Sequence, residues 1–126
     1  MYLLDTNVVV HYLDKSLPLK SINFLNQFID QDCYVSIITQ MEALGFNFKN
    51  IAEKNVTEIF MENSIILDLN PEIVQRTIAI RKSRKIDLPD AIIAATAIVY
   101  DFTLITQNMK DFERIQNIKV LNSFEL

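Results

Sequence analysis

The sequence predicts an α/β fold, a five-stranded parallel sheet joined by helices, on three observations. Short apolar runs alternate with longer segments of helical periodicity along the whole chain. The connections between apolar runs are as long as helical crossovers, which parallel strands require and hairpins do not. A chain of 126 residues, 50% of them hydrophobic, suits one substantial core. No linker, repeat or low-complexity stretch divides it, so residues 1–126 are expected to form a single domain.

The elements follow in order. Tyr2 to Leu4 is an apolar run ended by Asp5 and reads as a buried strand, followed by a helix over Leu19 to Ile29. The turn-like Asp30 to Asp32 leads into a second strand, Tyr34 to Ser36, and a helix over Thr39 to Phe48. A helix over Val56 to Glu62 precedes the third strand, Ile65 to Leu67, after Asn63. Pro71 to Lys82 and Leu88 to Tyr100 read as helices, with Pro71 and Pro89 near their starts, where a missing amide costs nothing. The run Ala91 to Tyr100 is apolar almost all round but too short to cross a bilayer, which needs ~20 such residues, so it is expected to be a buried helix. Thr103 to Thr106 and Lys119 to Leu121 complete the five strands. Phe24, Phe28, Phe46, Phe48 and Phe60 recur on helical patterns; most are expected in the core, with some left for an interface.

Composition removes several functions. One cysteine, Cys33, and one histidine, His11, cannot build a four-ligand zinc site or a disulfide framework, so any metal must sit on oxygen. A single glycine, Gly45, rules out the phosphate-binding and dinucleotide-binding loops, which need several. The net charge of −4 argues against nonspecific coating of nucleic acid but leaves room for a local basic patch. Met1 to Leu4 runs straight into Asp5 without a basic segment or long apolar stretch, so the chain is expected to stay in the cytoplasm.

Ligands of open parallel sheets gather beyond the carboxyl ends of the strands. The polar residues predicted there are mostly acidic: Asp5 after the first strand, Glu42 in the helix after the second, Asp90 at the start of the long apolar helix, and Asn108 with Asp111 after the fourth strand. Taken singly, each has a structural explanation. Asp5, Thr6 and Asn7 suit a helix cap, and Asp90 suits a first turn capped by Asp87. Glu42 is less easily dismissed, because it stands in the apolar segment Ile37 to Phe46, where an unpaired carboxylate is costly to bury. Taken together they repel: two carboxylates ~4 Å apart at an effective dielectric of ~20 oppose one another by roughly 4 kcal/mol. A proton, an arginine or a divalent cation would offset this, and the cation explains the most. Magnesium on carboxylates can carry a nucleophilic water, orient a phosphodiester and neutralise the charge that grows as the bond breaks. The free amides and dipole at a helix start favour the ionised form of Asp90 that coordination needs.

At these residues the sequence resembles the PIN domains, and within them the VapC-type toxins of bacterial toxin–antitoxin pairs. The matching pieces are Leu3-Leu4-Asp5-Thr6-Asn7, Ser36 to Glu42, Leu88 to Ala97, and Leu104-Ile105-Thr106-Gln107-Asn108 followed by Asp111-Phe112, together spanning almost the whole chain. The resemblance implies a three-layer α/β/α sandwich around the parallel sheet, cleavage of single-stranded or loop RNA, and dependence on Mg2+ or Mn2+. It makes Asp5 and Asp90 direct metal ligands and gives Glu42 the metal or its water. Thr6 and Thr106 take the hydroxyl positions that orient ligands or a water. Many PIN domains place a fourth acid where this chain has Asn108, with Asp111 one turn later, so either is the candidate fourth ligand and a second metal is not required. The resemblance further implies a homodimer and a VapB-like antitoxin whose tail covers the acidic cleft.

The basic residues Arg76, Arg81, Lys82, Arg84 and Lys85 precede Asp90 and suit either RNA phosphates or a solvated helix end. For His11 and Tyr12, a surface or partner-facing position suits the sequence better than stacking on a base. Two competing functions stand beside the nuclease. One is a catalytically silent PIN module that binds RNA or protein, motivated by Asn108. The other is a phosphatase-like domain using Asp5 as nucleophile; it is disfavoured by Asn7, where haloacid-dehalogenase-like phosphatases need a second aspartate, and by the lack of the acidic pair and late lysine of receiver domains.

Overall fold

The computed structural model of the chain describes residues 1–126. Five strands, β1 (Tyr2–Leu4), β2 (Tyr34–Ser36), β3 (Ile65–Leu67), β4 (Thr103–Thr106) and β5 (Lys119–Asn122), form one sheet in the order β3-β2-β1-β4-β5. Every neighbouring pair is parallel. Seven helices connect them: α1 (Thr6–Leu13), α2 (Leu19–Asn26), α3 (Ile37–Leu44), α4 (Ile51–Glu62), α5 (Pro71–Ser83), α6 (Leu88–Tyr100) and α7 (Met109–Phe112). No helix is long and apolar enough to cross a membrane.

Alternation along the strands creates two cores. Side chains of successive strand residues point to opposite faces, so Leu3 and Leu104 belong to one cluster while their neighbours Leu4 and Ile105 belong to the other. The first cluster takes Ile73 and Ile80 of α5, Ala91, Ile93, Ala94 and Ala95 of α6, and Phe112 of α7. The second takes Val8 and Val9 of α1, Leu25 of α2 and Met61 of α4. The expected three layers are therefore present. Alanines fill the buried face of α6, which lets its backbone lie close to the sheet and holds the helix firmly.

The strand order places a topological switch between β1 and β4. From β1 the chain moves outward through β2 and β3, then returns to the other side of β1 for β4 and β5. Crossovers on the two sides leave a crevice at the carboxyl ends of β1 and β4, the usual seat of ligands in such sheets.

The first four strands and α6 match the sequence-based boundaries, and β5 runs one residue further, to Asn122. Helix boundaries differ more. The predicted Leu19–Ile29 helix ends at Asn26, and α1 before it has no counterpart among the predicted helices; its valines are weak helix formers, and Val8 and Val9 are held in place by burial. The predicted Thr39–Phe48 helix runs instead from Ile37, capped by the Ser36 hydroxyl, to Leu44, ahead of Gly45. The predicted Val56–Glu62 helix starts at Ile51 because the Asn50 side chain accepts from the Glu53 amide. The Pro71–Lys82 helix extends to Ser83, and the single turn α7 was not foreseen. The expectation of phenylalanines in the core is corrected as well. Phe24, Phe28 and Phe60 are only partly buried at the edge of the second cluster, and Phe46 is exposed. Phe112 is the phenylalanine that is fully buried.

Candidate active site

Asp5 occupies the switch point. It ends β1, its amide donates to the Ile105 carbonyl at 3.0 Å, and its extended backbone starts α1 as the N-cap. Asp5 is only 4% exposed. Both its oxygens are held: Oδ1 accepts from the Thr6 amide at 2.8 Å, and Oδ2 accepts from the buried Thr106 hydroxyl at 2.8 Å. Thr106 Oγ1 in turn accepts from the Asn108 amide at 3.0 Å, which ties the end of β4 to the end of β1. Burial raises the Asp5 pKa; the Thr106 hydroxyl and the Thr6 amide oppose this, and Glu42 and Asp111 add to the rise.

A second relay holds Glu42. The Thr6 hydroxyl donates to Glu42 Oε1 at 2.7 Å and lies 2.9 Å from the Thr39 hydroxyl. A hydroxyl has one proton, so Thr39 is the donor in the shorter chain of Thr39, Thr6 and Glu42. Thr39 and Glu42 are three residues apart on α3 and share a face. Glu42 itself is exposed, which corrects the argument from its apolar sequence surroundings. Its apolar neighbours Met41, Leu44 and Phe46 are exposed as well, so this side of the segment meets solvent and the carboxylate keeps its solvation.

Asp90 stands in the first turn of α6, behind Asp87, Leu88 and Pro89. It is half-buried, and burial raises its pKa to about 6, with further contributions from Asp5, Asp111, Glu42 and Asp87. Asp111, exposed in α7, thus acts on both Asp5 and Asp90. Asn108 precedes α7, partly buried, and its side chain makes no capping bond. The fold therefore brings the carboxylates of Asp5, Glu42, Asp90 and Asp111, from four distant segments, within electrostatic reach of one another. No cation answers them by ion pairing, since the chain's one ion pair joins Lys119 and Asp101 at 3.0 Å.

The donor set fits a hard divalent cation, being made of oxygens only. These acids, like the other His, Cys, Asp and Glu side chains, do not form a closed three-ligand cage. An ion bound here would have to keep several of its waters and take one or two carboxylates directly, a mode that magnesium accepts.

The basic residues divide. Arg76, Arg81 and Lys82 lie exposed on α5, Arg81 and Lys82 in its last turn. Arg84 and Lys85 instead line a polar cleft of about 140 Å³ together with Ile86, Asp87, Asp90 and Asp111. His11 packs against Phe124 with ring centres 5.9 Å apart, and the Tyr12 hydroxyl donates to Asn26 Oδ1 at 2.5 Å. Neither is placed by these contacts beside the carboxylates. Two residues of the site were missed as such by sequence reasoning, Thr39 and Asp87. Asp87 makes no side-chain cap bond and faces the cleft instead. The signal for both was spacing: each precedes a candidate acid by three residues, one helical turn.

The PIN domain family matches residues 2–118. The chain is 29% identical to Ribonuclease VapC2 of Haemophilus influenzae over an alignment that covers 96% of each chain. Among solved structures it is similar to the toxin–antitoxin complex of Klebsiella pneumoniae, at 31% identity, complete coverage of both chains and a TM-score of 0.79. It is also similar to VapBC2 of Rickettsia felis bound to a promoter DNA fragment, at 27% identity, 96% and 97% coverage and a TM-score of 0.81.

Proposed function

The chain belongs to the PIN domain family, and from that premise we propose that it is the endoribonuclease toxin of a toxin–antitoxin pair, hydrolysing RNA phosphodiester bonds at the Asp5, Glu42, Asp90 and Asp111 cluster. The observation that carries the reading is the convergence of these four acids at the switch point, with no arginine or lysine paired to them. The whole span 1–126 is read as one PIN unit. The ribonuclease name of the Haemophilus influenzae relative and the antitoxin complexes among the structural relatives support it.

Asp5 and Asp90 would hold a divalent ion, Mg2+ or Mn2+, with Glu42 and Asp111 reaching it directly or through its waters. Bound there, such an ion supplies an activated water, orients the phosphodiester and neutralises developing charge. The chain's own residues prepare this. Thr106 and the Thr6 amide fix both oxygens of Asp5, so little freedom is lost on coordination. Thr6 and Thr39 hold Glu42 toward the same site, where an ionised carboxylate can accept a proton from an attacking water. Asp111 supplies the charge that Asn108 lacks, which supports an active enzyme over a silent binding module. A VapB-like antitoxin and a second copy of the chain are the partners this reading carries, in the cytoplasm with the RNA.

Purified protein incubated with total RNA, with added Mg2+, Mn2+ or chelator, tests the proposal. Cleavage is expected only with metal, leaving 5′-phosphate and 3′-hydroxyl ends, and Asp5→Ala is expected to abolish it while circular dichroism stays native. Equal cleavage by Asp5→Ala and the unaltered chain would end the nuclease reading.

A further inference from the structure

We infer that Arg84 holds a phosphate of the bound RNA strand beside the acidic cluster, an assignment that rests on the ribonuclease reading and singles out one residue of the basic segment. Placement comes first. Helix α5 stops at Ser83, and Arg84 caps it with extended backbone (φ −161°, ψ 160°) while its amide still donates to the Ile80 carbonyl at 3.2 Å. The chain leaves the helix there and runs along the cleft to Asp87 and Asp90, so Arg84 lines that cleft whereas Arg81 and Lys82, one turn earlier, do not.

The side chain is half-buried, and its Nε is enclosed without a hydrogen-bond partner. Buried guanidinium nitrogens ordinarily have partners, so an orphaned one at a polar cleft calls for an explanation. A structural ion pair is not the explanation. Arg84 shares the cleft with Asp87, Asp90 and Asp111 yet lies within ion-pairing distance of none of them. The groups that act on Asp90 are its burial and four carboxylates, with no cation among them.

Nε is closed off, so an incoming anion meets the two terminal nitrogens, and a phosphodiester offers two oxygens to that edge of the guanidinium. Need points the same way. RNA approaching a cluster of carboxylates on a chain of net charge −4 is repelled unless a fixed cation receives it. An arginine whose stem is already packed loses less freedom on doing so than the exposed residues of α5. Lys85, exposed at the rim of the same cleft, adds a point charge but no fork.

The test separates phosphate binding from catalysis by measuring binding of a fluorescent single-stranded RNA across a NaCl series, in chelator, where no cleavage occurs. Arg84→Gln is expected to weaken binding about tenfold and to flatten the dependence of log Kd on log salt by about 0.7, the loss of one phosphate contact on a single strand. Arg84→Lys keeps the slope with weaker affinity, and Arg84→Met, which also removes the charge, stands in if the glutamine variant melts early. With metal restored, Arg84→Gln raises KM and lowers kcat without moving the pH profile. An unchanged salt slope in the variant that removes the charge overturns the assignment, as does a shifted pH profile with native RNA affinity, which would make Arg84 a tuner of Asp90. Because the slope needs no cleavage, an inactive but RNA-binding chain would sink the nuclease reading and leave Arg84 judged on its own.

Discussion

Replacing Asp90 by asparagine should stabilise the protein, because the site has been assembled against its own electrostatics. Asp90 rises from an ordinary pKa of 3.8 to about 6 through burial and the repulsion of Asp5, Asp111, Glu42 and Asp87. Between those values the folded chain keeps a proton that the unfolded chain has released, so stability falls as pH rises through the window and the penalty is complete above it. The rise corresponds to about 3 kcal/mol. Asp90 is half-exposed, and solvent screening reduces this to about 1–2 kcal/mol. Asn is nearly isosteric and carries no charge, so Asp90→Asn should gain that amount above pH 6 and nothing below 3.8. At about 4 °C per kcal/mol for a chain of this length, the melting temperature in chelator should rise by about 4–8 °C. Thermal melts of both proteins across the window read the difference directly, and the acids common to both cancel. Adding Mn2+ should narrow the gap, because the cation stabilises the native chain and has lost a ligand in the variant. A difference independent of pH, or a destabilised variant at neutral pH, would refute the reasoning.

Two further substitutions examine the supports of the site. Thr106→Val keeps the shape of a buried side chain but removes the donor to Asp5 Oδ2; we expect a loss of about 1–3 kcal/mol in urea unfolding and weaker Mn2+ binding by calorimetry, with Thr106→Ser close to native. Phe112→Ala empties a position that is fully buried in the first core cluster and sits next to Asp111. Chemical denaturation should show a cost of about 3–5 kcal/mol, and RNA cleavage should fall with it because α7 no longer presents its carboxylate firmly.

The parts of this protein that were legible in its sequence are those governed by local rules. Strand positions followed from short apolar runs, the first three bounded by Asp5, by Asp30 to Asp32 and by Asn63, and the length of the connections implied parallel pairing. Helix α6 was readable to the residue because Asp87 and Pro89 mark its start and an unbroken apolar run carries it to Tyr100. The acids of the site were also legible, because a parallel sheet delivers the segment after each strand to a common edge and acids stood in four such segments. Caps that depend on one side chain bond, such as Asn50 to Glu53, were present in the sequence but were not distinguished from loop residues.

Tertiary structure decided everything that depends on which side of an element faces what. Val8 and Val9 are helical because the second core takes them, against their local preference. Phe46 and Phe112 have the same chemistry and opposite burial, and only the packing of α7 against β5 and the sheet separates them. Glu42 lies in an apolar segment yet meets solvent, Asp87 leaves its cap to face the cleft, and Arg84 lines that cleft while Arg81 does not. Sequence period fixes the angle between neighbouring side chains on one element. The direction of the whole face is set by long-range burial, which is a sum over contacts between residues such as Asp5 and Thr106 that lie far apart in the chain.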